Sequence, residues 1–133
     1  MTQRVALVTG AMGGLGTAIC QGLAKAGHKV VASDHPQFDN KDEWLKEMAA
    51  AGFNDFVCVA GDVSSLEDCE KMVNEAEAAA GPVDILINNA GQVPAGALAD
   101  LDDATIAAAI AVNVAAPISL TRDLLPLLTI ARG

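Results

Sequence analysis

Apolar residues occur along this chain in short, nearly continuous runs separated by stretches of helical spacing. Arg4-Val5-Ala6-Leu7-Val8-Thr9 is the first run, and similar ones follow at Lys29 to Ser33, Phe56 to Ala60 and Asp84 to Asn88. Runs without polar alternation read as parallel strands buried on both faces. Between them, Ile19, Leu23 and Ala26, then Trp44, Leu45 and Met48, then Leu66, Cys69, Met72, Val73 and Ala76 recur at amphipathic-helix spacing. Each of these helices is expected to end in Ala-Gly, at Ala26-Gly27, Ala51-Gly52 and Ala80-Gly81, because glycine supplies the left-handed residue that closes a helix. Ser64 and Glu67 have the spacing of a capping box opening the third. A fourth helix is predicted from about Asp103 almost to the end, with Ile106, Ile110, Val114 and Ile118 on one apolar face.

Strand–helix alternation with short loops implies right-handed βαβ crossovers. The expected class is α/β, a Rossmann-like parallel sheet of four strands in order 3-2-1-4 with helices on both faces. No linker or second boundary interrupts residues 1–133, which read as one dinucleotide-binding domain.

Composition narrows the function classes. A hydrophobic share of 52% excludes a disordered chain. With 17 Asp+Glu against 8 Lys+Arg, the net charge of -9 makes nucleic acid and anionic membrane poor partners. The uncharged stretch Ala104 to Thr121 contains Asn113 and Pro117 and is flanked by charges, so a buried soluble helix is expected rather than a bilayer span. Cys20, Cys58 and Cys69 lack metal-ligand spacing, and no metal is expected. Without a signal peptide at Met1-Thr2-Gln3-Arg4, a reducing cytoplasm is the expected location. There is no tyrosine.

The chemistry concentrates where the first run meets Thr9-Gly10-Ala11-Met12-Gly13-Gly14-Leu15-Gly16. A glycine turn opening a helix presents free N–H groups and the positive end of the helix dipole, which suit a pyrophosphate. A glycine turn that serves packing alone is the plain alternative. Asp34, ending the second run eighteen positions after Gly16, weighs against it. A carboxylate there accepts from both adenosine ribose hydroxyls and repels a 2′-phosphate, which favours NAD(H) over NADP(H). His35 neighbours that adenosine end, and Gly61-Asp62-Val63 ends the third run with a carboxylate in reach of the adenine amino group.

Thr9-Gly10-x-x-x-Gly14-x-Gly16, Asp62-Val63 and Asn88-Asn89-Ala90-Gly91, in that order and spacing, resemble the short-chain dehydrogenase/reductases. The run from Arg4 to Gly16 with Asp42-Glu43-Trp44-Leu45 is similar to the acetoacetyl-CoA reductase branch, whose usual NADPH preference contrasts with Asp34. The likeness spans the chain but only the N-terminal half of a typical member, implying that the second half of the full fold is lacking. It implies that Gly10, Gly14 and Gly16 shape the pyrophosphate turn and that Asp62 and Val63 contact adenine. Asn89, Ala90 and Gly91, with Asn88, then line the nicotinamide ribose side. The cofactor contacts expected are thus Thr9, Gly10, Met12, Gly13, Gly14, Leu15 and Gly16 from the turn. To these are added Asp34 and His35, Asp62 and Val63, Asn89 to Gly91, and Val112 from the last helix.

In the family a tyrosine donates the proton, a lysine tunes it, a serine polarises the substrate, and a helical asparagine anchors a relay water. Only the asparagine has a counterpart, Asn113, the one catalytic residue expected. Pro117 has no N–H for the carbonyl of Asn113 four residues back, so the helix should bend there. The likeness implies hydride transfer between NADH and a carbonyl or alcohol, with 3-oxoacyl thioesters as substrate class, and little turnover by this chain alone. A non-catalytic NAD(H)-binding or interaction module, or half of a split enzyme, are the competing readings. Strand Asp84 to Asn88 should lie at an open sheet edge, with Leu124, Leu125 and Leu128 exposed on the last helix. A homodimer or higher oligomer covering both surfaces is expected.

Overall fold

The computed structural model describes residues 3–131. Four strands, β1 (Val5–Val8), β2 (Lys29–Asp34), β3 (Val57–Ala60) and β4 (Ile85–Ile87), form one parallel sheet in the order β3-β2-β1-β4. Helices α1 (Gly14–Lys25), α2 (Lys41–Ala50) and α3 (Leu66–Ala80) make the crossovers. After β4 come a short 3-10 turn (Leu98–Asp100), α4 (Asp103–Ile110), a π-helical segment (Ala111–Ala115) and α5 (Ala116–Ala131). The fold class and strand order are those the apolar pattern predicts.

Strand alternation divides the core in two. Leu7, Val31 and Val59 point to one face and pack with Cys69, Met72 and Ala76 of α3 and Leu120 and Leu124 of α5. Val8, Val30 and Ala32 point to the other, against Cys20 of α1 and Trp44 and Met48 of α2. Both faces are covered, which is why these strands are apolar throughout. Gly27, Gly52 and Gly81, at φ +89, +95 and +96, close α1, α2 and α3 as their Ala-Gly endings predict.

Three local expectations change. The cap of α3 is Ser65, whose Oγ accepts from Asp68 N–H, and not Ser64 with Glu67. Ser64 is drawn back to Asp62, donating both N–H and Oγ–H to its Oδ1, so the helix begins one residue later. In the last helix, Ile106, Ile110, Val114 and Ile118 are exposed, from 39% to 66%, while Ala116, Leu120 and Leu124 are buried. A four-residue step advances about 400° on a helix of 3.6 residues per turn, so a row at that spacing drifts around the axis. The π segment adds a further rotation. Leu124 is therefore a core residue, whereas Leu125 is exposed and Leu128 packs partly against the core.

The third change concerns the burial of that helix. Residues Asp103–Ile130 are long and apolar enough to cross a membrane by length and composition alone, and 11% of their most apolar window is buried. The expected buried helix is thus buried along one narrow seam of α5, and α4 buries none of its residues. The bend expected near Asn113 takes the form of the π segment: Ala116 N–H bonds to Ala111 carbonyl, five residues back, just before Pro117. Pro117, which lacks an N–H, follows directly on this wider turn, where the helical hydrogen-bond ladder is already shifted. Among the described residues β4 pairs with β1 alone, leaving its outer edge open.

Candidate cofactor site

A cleft of about 240 Å³ opens at the C-terminal ends of the strands, where β1 lies between β2 and β4. This is the switch point of a doubly wound sheet, at which the crossovers leave in opposite directions. Of the residues expected at the cofactor, Gly10, Asp34, His35, Asp62, Val63, Ala90, Gly91 and Val112 line it, together with Ser33, Gly61 and Gln92. A larger cleft, about 680 Å³, opens at the opposite end of the sheet among Lys29, Phe53 and Phe56, away from the glycine turn.

The four glycines of the turn serve two purposes. Gly10 has φ +59, and a Cβ on it would stand 2.8 Å from Ala90 Cα. A Cβ on Gly16 would overlap the Gly10 carbonyl oxygen and reach Ala11 Cα at 2.8 Å. These two let the turn, β4 and α1 approach one another. A Cβ on Gly13 would meet only the Gly10 oxygen, at 3.7 Å, and one on Gly14 would meet nothing within 4 Å. The protein itself does not require glycine at these two positions; a ligand seated on the helix N-terminus would.

Residues just beyond the ends of β1 and β4 pin the turn in place. Asn89 Nδ2 donates to the carbonyls of Thr9 (3.1 Å) and Gly10 (2.9 Å). Thr9 Oγ1 accepts from the N–H groups of Asn89 and Ala90 at 3.1 and 3.0 Å. Thr9 and Asn89 therefore act as struts beneath the cleft. Met12 N–H donates to Asp34 Oδ2 (3.1 Å), which ties the turn to the end of β2, and Leu15 points outward, 70% exposed. No side chain caps α1 and no acidic residue stands in its first turn, whereas α3 carries the Ser65 cap with Glu67 and Asp68. An uncapped helix start retains its N–H groups and positive dipole end for an external anion.

At the end of β2, Asp34 Oδ1 accepts from His35 N–H at 2.8 Å, so each carboxylate oxygen is held by one backbone donor. None of the cleft-lining residues is lysine or arginine. Asp62 Oδ1 accepts from Ser64 N–H (2.9 Å) and Oγ–H (2.6 Å), and its Oδ2 faces His35 Nε2 at 3.6 Å. The bonds from Ser64, reinforced by His35, hold the Asp62 carboxyl below its ordinary range and keep it ionised. Ser64, read from the sequence as a helix cap, is thus a support for Asp62; its serine-two-after-aspartate spacing was the available signal.

On the side of the cleft beyond β4, Asn113 is placed as a clamp. Its Oδ1 accepts from Gln92 N–H and its Nδ2 donates to the Gln92 carbonyl, both at 2.7 Å. The pair fastens the π segment to the loop following Ala90-Gly91, a contact over 21 residues that no local pattern signals. Asn88 Nδ2 likewise donates to Thr121 Oγ1 at 3.0 Å, joining β4 to α5. His28 sits at the far end of the sheet, accepting from Arg4 N–H, remote from the cleft. The three cysteines are free; burial pushes the Cys20 thiol up to about 12 and leaves it inert. Among the described residues no group of His, Cys, Asp and Glu could hold a metal ion.

Comparison with known proteins agrees with this geometry. The sequence pattern of the short chain dehydrogenase family matches residues 4–133. Nodulation protein G of Azospirillum brasilense is 48% identical over 126 residues, 95% of this chain and 51% of the relative. Acetoacetyl-CoA reductase of Cupriavidus necator is 47% identical over 91 residues, 68% of this chain and 37% of the relative. Among solved structures, an actinorhodin polyketide ketoreductase variant with NADPH superposes at a TM-score of 0.85 and 32% identity, covering 98% of this chain and 49% of that one. The 3-ketoacyl-(acyl-carrier-protein) reductase from Brucella melitensis, complexed with NADH, gives 0.76 and 31%, covering 92% and 49%. The chain spans about half the length, or less, of the relatives it matches.

Proposed function

The chain belongs to the short chain dehydrogenase family, and on that premise we propose that it binds NAD(H) in the cleft at the end of β1, as the cofactor-holding part of a carbonyl–alcohol oxidoreductase. The observation that carries the proposal is the uncapped α1 N-terminus with two glycines, Gly13 and Gly14, that nothing in the protein requires. The N–H groups of that first turn hold the pyrophosphate, Asp34 the adenosine ribose hydroxyls, and Asp62 the adenine amino group. The nicotinamide ring supplies or accepts the hydride.

Asp34 sets the preference for NADH. Its carboxylate stands beside the 2′ position, with no lysine or arginine lining the cleft to neutralise a phosphate there. Both cofactors occur among the related structures, NADPH in one and NADH in another, so titrating each against this chain decides the point. Tighter binding of NADPH would refute the reading of Asp34.

The substrate class we propose is the 3-oxoacyl thioester, by likeness to the acetoacetyl-CoA and 3-ketoacyl reductases. A sequence with no tyrosine does not provide the family's proton donor, and Asn113, clamped to Gln92, does not replace it. General acid catalysis contributes about 10²–10⁴ in rate. The 133-residue chain is therefore expected to bind NADH and to oxidise it negligibly with acetoacetyl-CoA. Ketone-dependent oxidation at about 1–10³ s⁻¹ would overturn that expectation.

The open edge of β4 and the exposed Ile106, Ile110, Val114 and Ile118 support self-association of this chain, a second copy covering both. Light scattering at micromolar concentration should give a dimer or larger species; a monodisperse monomer would exclude it.

A further inference from the structure

Helix α1 begins without a side-chain cap, although its first turn has to stay wound for its free N–H groups to converge. A capping side chain would steady that turn, but it would also fill N–H groups that a pyrophosphate needs. Support that keeps those groups free has to reach the helix from the side.

The structure supplies such support from α2. Trp44, 5% exposed, donates its indole N–H to Thr17 Oγ1 at 2.9 Å. Thr17 is the fourth residue of α1, and its own N–H donates to the Gly13 carbonyl at 2.9 Å, which closes the first turn. The indole therefore holds α1 where the helix starts, across 27 residues of sequence. The indole is itself fixed, stacked on Phe56 with ring centroids 5.4 Å apart. The bond uses a side-chain oxygen of α1 and none of the N–H groups ahead of Thr17. Neither Trp44 nor Thr17 lines the cleft.

Building on the cofactor reading above, we propose that Trp44 is a positioning residue for the pyrophosphate turn. Through Thr17 it braces the first turn of α1 in place of a cap, and it leaves the N–H groups of that turn to the ligand. Cofactor affinity is thereby set in part by a helix that does not line the cleft.

Three variants of the 133-residue chain test the brace. Thr17→Val removes the hydroxyl at nearly constant shape, Thr17→Ser keeps it, and Trp44→Phe removes the donor but keeps an aromatic ring. Calorimetric titration with NADH, at a temperature where circular dichroism shows each variant folded, should give about threefold to tenfold weaker binding by Thr17→Val and Trp44→Phe. Thr17→Ser should bind like the wild type, and the double variant Thr17→Val with Trp44→Phe should lose no more than either change alone. Without ligand, amide exchange followed by NMR should be faster at Thr17 in Trp44→Phe than in the wild type, and unchanged in the middle of α3. If Trp44→Phe does not fold, the Thr17→Val and Thr17→Ser pair decides alone. Unchanged NADH affinity in Thr17→Val, a loss that Thr17→Ser shares, or unaltered exchange at Thr17 would overturn the brace alone. A wild-type chain that binds no NADH would overturn the cofactor reading, and the brace with it.

Discussion

Alanine at Gly14 and at Gly16 should affect stability in opposite directions while harming the same function. A Cβ on Gly16 would lie 2.8 Å from Ala11 Cα, where ordinary contact begins at 3.4 Å, so at least 0.6 Å of movement is needed, and more against the Gly10 carbonyl. The turn cannot retreat, since Gly10 is backed against Ala90 and held by Asn89. Helix α1 must lift instead, loosening buried Cys20 and the bond from Trp44 Nε1 to Thr17 Oγ1 (2.9 Å). Overpacking of this kind costs about 1–3 kcal/mol. That corresponds to roughly 3–15 °C in Tm for a domain of this size. Gly14 has open space around it and no positive φ, so Gly14→Ala should stabilise by about 0.4–1 kcal/mol through the unfolded state. On the proposed cofactor reading, its methyl group would occupy open space that the pyrophosphate needs. NADH affinity should fall at least about tenfold, or 1.4 kcal/mol. Thermal melts followed by circular dichroism and NADH titrations of both variants are the assays. A destabilised Gly14→Ala, or one that binds NADH normally, would refute the division of these glycines into packing and ligand positions.

Other outcomes follow from the same geometry. Asp34→Asn should narrow the ratio of NADPH to NADH dissociation constants, measured by fluorescence titration, because the charge facing the 2′ position is gone. Leu124→Ala should cost about 2–5 kcal/mol in urea unfolding, since the side chain is buried between α5 and the sheet. If Ile118→Ala proved as costly, the burial seam along α5 would be wrong. Ser64→Ala should destabilise at neutral pH by removing the Oγ–H donor, the largest of the effects that lower the Asp62 pKa, while the backbone N–H bond remains. A lowered carboxylate pKa contributes stability above its unfolded value, near 3.8, and loses it as pH falls through the folded value. The gap between wild type and Ser64→Ala should therefore close in urea melts taken well below that pH, and a gap that widened there would contradict the assignment.

Local chemistry is legible in the sequence because it is written in neighbouring residues. Unbroken apolar runs, Ala-Gly helix ends and the Thr9 to Gly16 turn each act within a few positions, and they determine the parallel α/β class and the location of the cleft. The carboxylates Asp34 and Asp62 were legible too, since strand ends in this topology converge on one edge. Contacts between distant segments were not. Whether a glycine faces Ala11 or open space depends on where α1 lies over the turn, which separates Gly16 from Gly14.

The same holds for the last helix and the polar clamps. Asn113 meets Gln92, and Asn88 meets Thr121, only because the fold brings the loop after β4 against the π segment and the start of α5. The inward face of the helix, Ala116, Leu120 and Leu124 instead of the isoleucine row, is chosen by a π turn and by the sheet it lands on. The sequence by itself determined which elements form and which chemistry gathers at the strand ends, through periods and turns that are local. Tertiary structure alone decided which of those residues brace the site and which remain for a ligand, because burial is a property of the neighbours a fold supplies.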